Sequence, residues 1–338
     1  MTTLVIGGTG FISSTLVRHL LGRGHRVTLL TRGVTQVPPD IAGKAALVAA
    51  DRSDHQALRR VVGQTTFDVA YDMIAYLPEE SAAAARAFRG RVGRFIHCST
   101  VSVYMVSREV QCPVTEDQDC GPLMDYFPRN PFGMEYGIKK RQCETVLWNL
   151  HDDRAFPVSM LRPTYVSGPA DPARRDWFWI QRILDGGPLL VPGSGDLAFQ
   201  QVYLEDVARA FAMLPESDAT VGRAYNIVGE EVFSLNEYLQ LLGEMLNRRP
   251  DLVHVGQEEF DALEFSICPE GDVFTFNPRR TAVFSLDRIR HDLGYRGTPF
   301  QDYMRTTIDW WTVPDRVDSY GYARRKDEIA YAHRIRHI

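Results

Sequence analysis

Short apolar runs alternate with stretches of helical periodicity through the first half of the chain. The run at 4–6 leads into a cluster of glycines and predicts a buried strand. Apolar residues recur at helical spacing over 11–24, which predicts a helix that glycines end. Other runs predict strands at 27–30, 46–50, 69–73, 94–98 and 158–161, and a helix at 79–88. This alternation predicts an α/β fold of the Rossmann type, a doubly wound parallel sheet with helices on both faces.

The pattern loosens in the second half of the chain. Loops rich in Pro, Gly and charged residues are predicted at 169–175 and 188–196, followed by shorter elements that include a helix at 234–246. A chain of 338 residues is long for a single core. We therefore expect a Rossmann domain over 1–168 and a smaller mixed lobe over 169–338, which mainly binds substrate and returns some elements to the first sheet.

A glycine cluster joins the first predicted strand to the first predicted helix. Gly7 suits a tight turn, and Gly10 lets the backbone approach a pyrophosphate. The free N–H groups at the start of the helix, near Phe11 and Ile12, then face the negative charge. Ser13 stands where the third glycine of the fingerprint is usual, and it is small enough for close packing. A simple tight turn needs fewer glycines, so this segment predicts a nicotinamide dinucleotide site.

The residues that follow the next two strands indicate which cofactor is bound. Arg32 stands where an acidic residue would bond the ribose 2′-hydroxyl of NAD, and it can pair with a 2′-phosphate. Asp51, after the third strand, is a candidate for the adenine amino group. We therefore expect NADP to be preferred, with NAD as the alternative if Arg32 is only a solvated loop charge.

Tyr136 and Lys140 are spaced i, i+4 and share one face of a predicted helix. Tyrosine, with a pKa of about 10, is a poor base at neutral pH unless a nearby ammonium and the positive nicotinamide ring favour the phenolate. Lys140 can supply that charge and also hold the nicotinamide ribose. In isolation this spacing is better explained by a core tyrosine and a surface lysine, but here it accompanies a dinucleotide turn.

Hydroxyl residues follow directly on the strand predicted at 94–98. Ligands bind at the carboxyl ends of strands in open parallel sheets, so Thr100 is placed to hydrogen-bond a substrate oxygen. Ser99 and Ser102 are alternatives for that role, and we also assign Ser99 to the cofactor site. The predicted catalytic set is Thr100, Tyr136 and Lys140.

These motifs resemble those of extended short-chain dehydrogenases/reductases, in the NAD-dependent epimerase/dehydratase family. The matching segments span nearly the whole chain in the family's order: 7–13, 99–104, 136–140, 161–169, 202–211, 225–231 and 292–295. The resemblance implies activity on nucleotide-activated sugars and dimerisation through helices that include the one with Tyr136. It also implies the remaining contacts: Pro163 and Thr164 beside the nicotinamide, Ile74, Ala75 and Tyr76 on the adenosine side, and Tyr165, Gln200 and Arg280 at the substrate.

Two departures from the family pattern bear on the reaction. Val101 and Ser102 stand where 4,6-dehydratases have an acidic pair, which argues against dehydration. Phe199 stands where the family has a diphosphate-binding arginine, which weakens the case for a nucleotide diphosphate. The arginines that could replace it, each better explained as a surface charge, are Arg174, Arg175, Arg279 and Arg280.

The end of the chain suggests a second hypothesis. Its motifs are similar to those of an atypical branch that includes the chloroplast stem-loop-binding proteins, some of them associated with RNA. The basic segment 320–338 is either an arm for RNA or an acidic partner, or, as is more common, a helix on the domain surface or a frayed tail. Trp310 and Trp311 are expected to anchor this end by packing. A non-catalytic nucleotide-sensing or RNA-binding protein is thus one alternative. A reductase of a non-sugar natural product is another, suggested by Phe199 and by Trp177 and Trp179.

Composition narrows these possibilities. A net charge of −5 weighs against a nucleic-acid binder. Five cysteines without a C-x-x-C pair predict neither a disulfide framework nor a zinc ribbon, and we expect no metal. No signal peptide is apparent, and no apolar run approaches the ~18 residues of a membrane span. We therefore expect a soluble cytoplasmic homodimer that acts on a sugar as either an NADP-preferring epimerase or a ketoreductase. The family resemblance implies that this sugar is linked to a nucleotide.

Overall fold

A computed structural model describes residues 1–63, 65–118, 120–125, 134–152, 156–265, 279–314 and 322–336. The strands are β1 (Thr2–Ile6), β2 (Arg26–Thr31), β3 (Ala46–Ala49), β4 (Phe67–Asp72), β5 (Val92–Cys98), β6 (Val158–Pro163), β7 (Tyr165–Ser167), β8 (Leu189–Pro192), β9 (Ala198–Phe199), β10 (Gln201–Tyr203), β11 (Arg223–Ile227), β12 (Phe233–Ser234) and β13 (Leu252–Val255).

The helices have the following bounds. They are α1 (Phe11–Gly22), α2 (His55–Val62), α3 (Pro78–Phe88), α4 (Ser102–Met105), α5 (Met134–Asp152), α6 (Arg175–Asp185), α7 (Leu204–Met213), α8 (Leu235–Met245), α9 (Gln257–Asp261), α10 (Asp287–Leu293), α11 (Phe300–Trp311) and α12 (Arg325–Ile335), with short 3₁₀ turns at Leu214–Glu216 and Asp218–Thr220.

Seven of the described strands form one parallel sheet in the order β3-β2-β1-β4-β5-β6-β11. From β1 the chain proceeds outward to β2 and β3, and then returns to the other side of β1 to add β4, β5 and β6. The direction therefore reverses between β1 and β4, and the crevice at the carboxyl ends of these two strands is where such sheets bind ligands. This topology confirms the predicted Rossmann-type doubly wound fold.

The apolar run at 4–6 in the central strand β1 is explained by burial on both faces of the sheet. Leu4 and Ile6 join a hydrophobic cluster on one face of the sheet, and Val5 joins the cluster on the other face. All three side chains are fully buried, as expected for a strand covered on both sides. Helix α1 packs against α7, and α3 packs against α5.

The second half of the chain contributes both to this sheet and to smaller ones. Strand β11 adds to its edge beside β6, while three two-stranded pairs form apart from it: β7 with β10, β8 with β13, and β9 with β12. This arrangement leaves the expected boundary at residue 168 as a prediction. The predicted helix at 234–246 begins one residue later, because Ser234 is its N-cap and bonds reciprocally with Glu237.

The last described helix packs on the protein instead of extending from it. Helix α12 contacts β8, and its Glu328 forms a bidentate ion pair with Arg182 in which both side chains are about 1% exposed. Trp311 is buried and stacks on Trp177 at a centroid distance of 5.5 Å. Residues 320–321 and 337–338 of the basic segment lie outside the described residues. In the described part of the chain, every helix is too short or too polar to cross a bilayer.

Candidate active site

The turn after β1 is built for close approach of a ligand. Gly7 has φ of +102°, and a Cβ there would lie 3.0 Å from Ile74 Cγ2, so glycine fits this position best. Gly10 is the N-cap of α1, and its N–H donates to Ser13 Oγ at 3.0 Å. Ser13, at the position where the third glycine is usual, therefore stabilises the turn through this hydrogen bond.

The start of α1 is an anion site by position. The N–H groups of Phe11 and Ile12 belong to the first turn, where a helix offers no internal acceptors. The first turn contains no acidic side chain to occupy them. This end of the helix therefore fits the pyrophosphate of a dinucleotide, as the sequence predicted.

A cavity of about 560 Å³ opens at the carboxyl ends of β1, β4, β5 and β6. The predicted site residues that line it are Gly10, Phe11, Ile12, Ile74, Ser99, Thr100, Tyr136, Pro163, Thr164 and Tyr165. They come from five separate segments of the sequence, and the switch in strand order brings them together. We refer to this space as the large cavity.

A second cavity of about 390 Å³ lies beside the ends of β2 and β3. Arg32 and Asp51 line it, together with Gly7. Gly10 and Ile74 line both cavities, so the two spaces adjoin. The Ser53 hydroxyl and N–H bond to Asp51, which lowers the pKa of that carboxyl, and the charge of Arg32 lowers it further. We call this space the small cavity, and its size and lining fit an adenosine.

Tyr136 lies in the first turn of α5 and is half-buried at the wall of the large cavity. Burial raises the pKa of its hydroxyl above the usual value, because a phenolate would be desolvated there. A hydrogen bond with Thr100 and the charge of Arg175 act in the opposite direction. Among the groups of the chain itself, desolvation outweighs these two influences, so the hydroxyl is protonated at neutral pH. That Lys140 and a bound nicotinamide ring together favour the phenolate stays a prediction.

Lys140 is 4% exposed, and its ammonium lies at the carboxyl ends of β4 and β5. Its ammonium donates to the carbonyl of Ala75 at 2.9 Å and to the carbonyl of Cys98, and it lies 3.4 Å from His97 Nε2. These contacts use all three N–H donors. To hold a ribose hydroxyl as well, the ammonium has to exchange one of them.

His97 is a site residue that the sequence reasoning missed. It is fully buried at the end of β5, and its pKa is held well below the usual value by burial and by the charge of Lys140. The ring is therefore neutral, and Nε2 accepts from Lys140 while Nδ1 bears the proton. Nδ1 has no hydrogen-bond partner among the described residues. Its place two residues before the hydroxyl segment was the only signal available.

A buried ion pair joins β6 to α5 next to the site. Arg162 on β6 donates to both carboxylate oxygens of Glu144 on α5, at 2.9 and 2.5 Å. The Tyr104 hydroxyl accepts from Arg162 and donates to Asn226 at 3.1 Å. Ser99 donates its hydroxyl to the same Glu144, so that hydroxyl is engaged away from the cavity. This network ties the helix of Tyr136 to the sheet.

Three of the predicted contact residues, Tyr76, Gln200 and Arg280, line neither cavity. The ring of Tyr76 lies against that of Tyr136 in a tilted arrangement, at a centroid distance of 5.6 Å, and its adenosine-side role stays a prediction. Gln200 is buried, and its amide bridges the carbonyl of Gly229 and the N–H of Phe284, at 2.9 and 2.8 Å. Arg280 donates to the carbonyl of Ser107 at 2.8 Å. Neither Gln200 nor Arg280 lines the large cavity, and their substrate roles stay predictions.

The residues considered in place of the family arginine fall into two groups. Arg175 lines the large cavity. Arg174 donates to the carbonyl of Pro172, and Arg279 pairs with Asp261 at 2.6 Å.

The aromatic side chains near this position are packing residues. Phe199 is 3% exposed and packs edge-on against Tyr165 and Tyr238. Trp177 and Trp179 are also buried, and neither lines the large cavity.

Comparison with known proteins agrees with this architecture. The model of the NAD dependent epimerase/dehydratase family matches residues 3–228. A chloroplast stem-loop binding protein of 41 kDa from Arabidopsis thaliana is 26% identical, over 87% of this chain and 74% of that protein. A dTDP-glucose 4,6-dehydratase from Neisseria gonorrhoeae is 27% identical, over 91% and 94%. The structure of a UDP-glucuronic acid 4-epimerase from Bacillus cereus in complex with NAD superposes with a TM-score of 0.72 at 19% identity, over 94% and 99%.

Proposed function

Because this chain belongs to the NAD dependent epimerase/dehydratase family, we propose that it is an epimerase or ketoreductase that interconverts a secondary alcohol and a ketone on a sugar. One observation supports this most strongly: Tyr136 and Thr100 meet in a cavity that also contains the free start of α1. A proton donor and a pyrophosphate site thus share one space, as hydride transfer to a carbonyl requires.

The chain's own residues supply binding and proton transfer. Tyr136 gives its proton to the carbonyl oxygen in reduction and takes it back in oxidation. Thr100 receives the N–H of Ser102 at 3.2 Å and donates to Ser102 Oγ at 3.1 Å, so its hydroxyl is oriented before substrate arrives. After exchange of one of its three hydrogen bonds, Lys140 would hold the nicotinamide ribose near this pair. A bound nicotinamide dinucleotide supplies or accepts the hydride.

We propose NADP as the preferred cofactor. Arg32 is exposed at the wall of the small cavity, where a 2′-phosphate on the adenosine ribose would lie. The family is described as NAD-dependent. A preference for NADP would therefore be particular to this chain, and Arg32 would be its cause.

The substrate site favours simple redox chemistry over elimination. Val101 and Ser102 provide no acidic pair at the hydroxyl segment, and dehydration needs an acid and a base there. The burial of Phe199 leaves its side chain out of the large cavity, so it contributes nothing to a diphosphate. A non-sugar ketone is a second candidate, because Met105, Val166 and Phe284 give the large cavity an apolar wall.

Incubation of the purified protein with NADPH or NADH and with keto sugars or apolar ketones tests this proposal. Stoichiometric loss of reduced cofactor identifies a ketoreductase, and isomerisation without net loss identifies an epimerase. Failure to bind either dinucleotide, together with RNA binding that weakens steeply with salt, would instead support the non-catalytic alternative.

We also propose a cytoplasmic homodimer that associates through the helix of Tyr136. Sedimentation analysis should give twice the 38.3 kDa chain mass. A monomer at micromolar concentration would contradict this assembly.

A further inference from the structure

One cation stands out in the wall of the large cavity. Among the described residues that line it, only Arg175 and Asp171 have charged side chains. Asp171 is 1% exposed, while the side chain of Arg175 is 29% exposed. The two residues belong to the loop that follows β7 and to the first position of α6.

Asp171 holds only one edge of the Arg175 guanidinium. Arg175 Nη1 donates to Asp171 Oδ1 at 2.9 Å and to Oδ2 at 3.1 Å. The backbone N–H groups of Ala173 and Arg175 also donate to this carboxylate, each at 3.0 Å. Asp171 is thereby satisfied, whereas Arg175 Nε and Nη2 have no hydrogen-bond partner among the described residues.

The backbone that presents Arg175 adopts an unusual conformation. Ala170 and Arg174 have φ of +64° and +51°, in the left-handed region that residues other than glycine rarely adopt. Each such residue costs on the order of 1 kcal/mol, and this kind of strain is concentrated at functional sites. Arg174 directly precedes α6, so its conformation fixes where Arg175 begins the helix.

The charge of Arg175 affects the pKa of the Tyr136 hydroxyl. Burial raises this pKa, and the positive charge of Arg175 lowers it. Arg175 and Tyr136 also line the same cavity, so a ligand group that pairs with this guanidinium would share that cavity with the carbon on which Tyr136 acts.

We propose that Arg175 binds an anionic group of the substrate, a carboxylate or a phosphate, through its Nε and Nη2 edge. A guanidinium edge matches two oxygens of such a group in a bidentate contact. Within the proposed function, on which this inference rests, the substrate is then an acidic sugar or a sugar phosphate. The anion then lies in the same cavity as the reacting carbon, instead of at the family's diphosphate position that Phe199 occupies.

Calorimetry on the full chain loaded with NADP⁺ tests this assignment with three probes. D-Glucose is the neutral reference, D-glucuronate adds a carboxylate, and D-glucose 6-phosphate adds a phosphate. At least one anionic probe should bind about 10- to 100-fold more tightly than glucose, the value of a charge-assisted hydrogen-bonded pair. The probe that gains identifies the anion as carboxylate or phosphate.

Variants then assign the gain to Arg175. Arg175→Gln should abolish the anionic preference and leave glucose binding unchanged, while Arg174→Gln, which removes the adjacent charge, should retain it. Arg175→Lys keeps a cation for Asp171 if the Gln variant fails to fold, and it should lose most of the gain because it lacks the two-pronged edge.

Two results would overturn the inference: equal binding of all three probes by the unmodified protein, or an anionic preference that survives in Arg175→Lys at full strength. Failure of the proposed function gives a different result. An anionic preference would then persist while no ketone is reduced and no sugar is isomerised.

Discussion

Replacing Tyr136 with Phe removes one oxygen from the cavity wall and almost no volume. The ring keeps its contact with Tyr76 at 5.6 Å. Thr100 loses a partner but still donates to Ser102 Oγ at 3.1 Å, so no buried hydroxyl is left unsatisfied. The free energy of unfolding should therefore fall by about 1 kcal/mol, the net value of one hydrogen bond.

The effect on turnover should be much larger than the effect on stability. A positioned acid or base contributes about 10²–10⁴-fold to the rate. At 1.36 kcal/mol for each factor of ten, this raises the activation barrier by about 3–5 kcal/mol. The barrier should thus change about three to five times as much as the folding free energy, which a packing role cannot produce.

The assay compares kcat, the Kd for NADPH and the thermal midpoint in the unmodified protein and the variant. Tyr76→Phe is the matched control, because it removes the same atom from the ring that lies against Tyr136. Its kcat should change by no more than a few-fold. Unchanged kcat in Tyr136→Phe on a substrate that the unmodified protein turns over would refute the assignment of Tyr136 as acid/base.

Four further outcomes are expected. Arg32→Ala should raise the Kd for NADP at least tenfold more than the Kd for NAD, as measured by fluorescence titration; equal changes would remove the basis for an NADP preference. Lys140→Met should lower both kcat and cofactor affinity, and retention of affinity would separate it from the ribose. Because the pKa of Tyr136 is raised, absorbance titration of the cofactor-free protein should show no phenolate from it below about pH 10. The protonated acid is thus present at neutral pH, and reduction should slow only as pH rises through that pKa. Glu144→Gln should destabilise the fold by about 3–5 kcal/mol in urea melts, because it leaves Arg162 buried without its counter-charge; a smaller loss would indicate that water reaches Arg162.

The sheet and its ligand-binding edge were predictable because they depend on local patterns and chain order. Each strand from β1 to β6 contains a short apolar run, and parallel pairing then places the carboxyl ends of these strands at one edge of the sheet. Gly10, Thr100 and Tyr136 could therefore be assigned to one site before any distance was known.

The contacts that depend on approach between distant segments were not predictable. His97 on β5 meets Lys140 on α5, 43 residues away, only because the fold brings these two residues together. The clamp of Asp171 on Arg175 requires a left-handed backbone that nothing in the residue types of Ala170 and Arg174 indicates.

The extent to which each polar group is desolvated was also not predictable from the sequence. The spacing of Tyr136 and Lys140 suggested a phenolate, but the extent of burial determines the direction of the pKa shift. Gln200 illustrates the same point for hydrogen bonds. A polar residue beside Phe199 suggests a ligand contact, yet the buried backbone of Gly229 and Phe284 needs partners and takes both ends of its amide.

Each half of a dinucleotide is a ligand in its own right, and the two adjoining cavities can be occupied separately. AMP alone should enter the small cavity with modest affinity. When the second half is tethered to it, binding becomes intramolecular, and the affinity of the whole can exceed that of either half by about 10²–10⁴-fold. Ile74 lines both spaces, so a bulky residue there would obstruct the tether more than either end. Ile74→Trp should then remove most of the affinity that the whole dinucleotide gains over its halves, while AMP alone still binds.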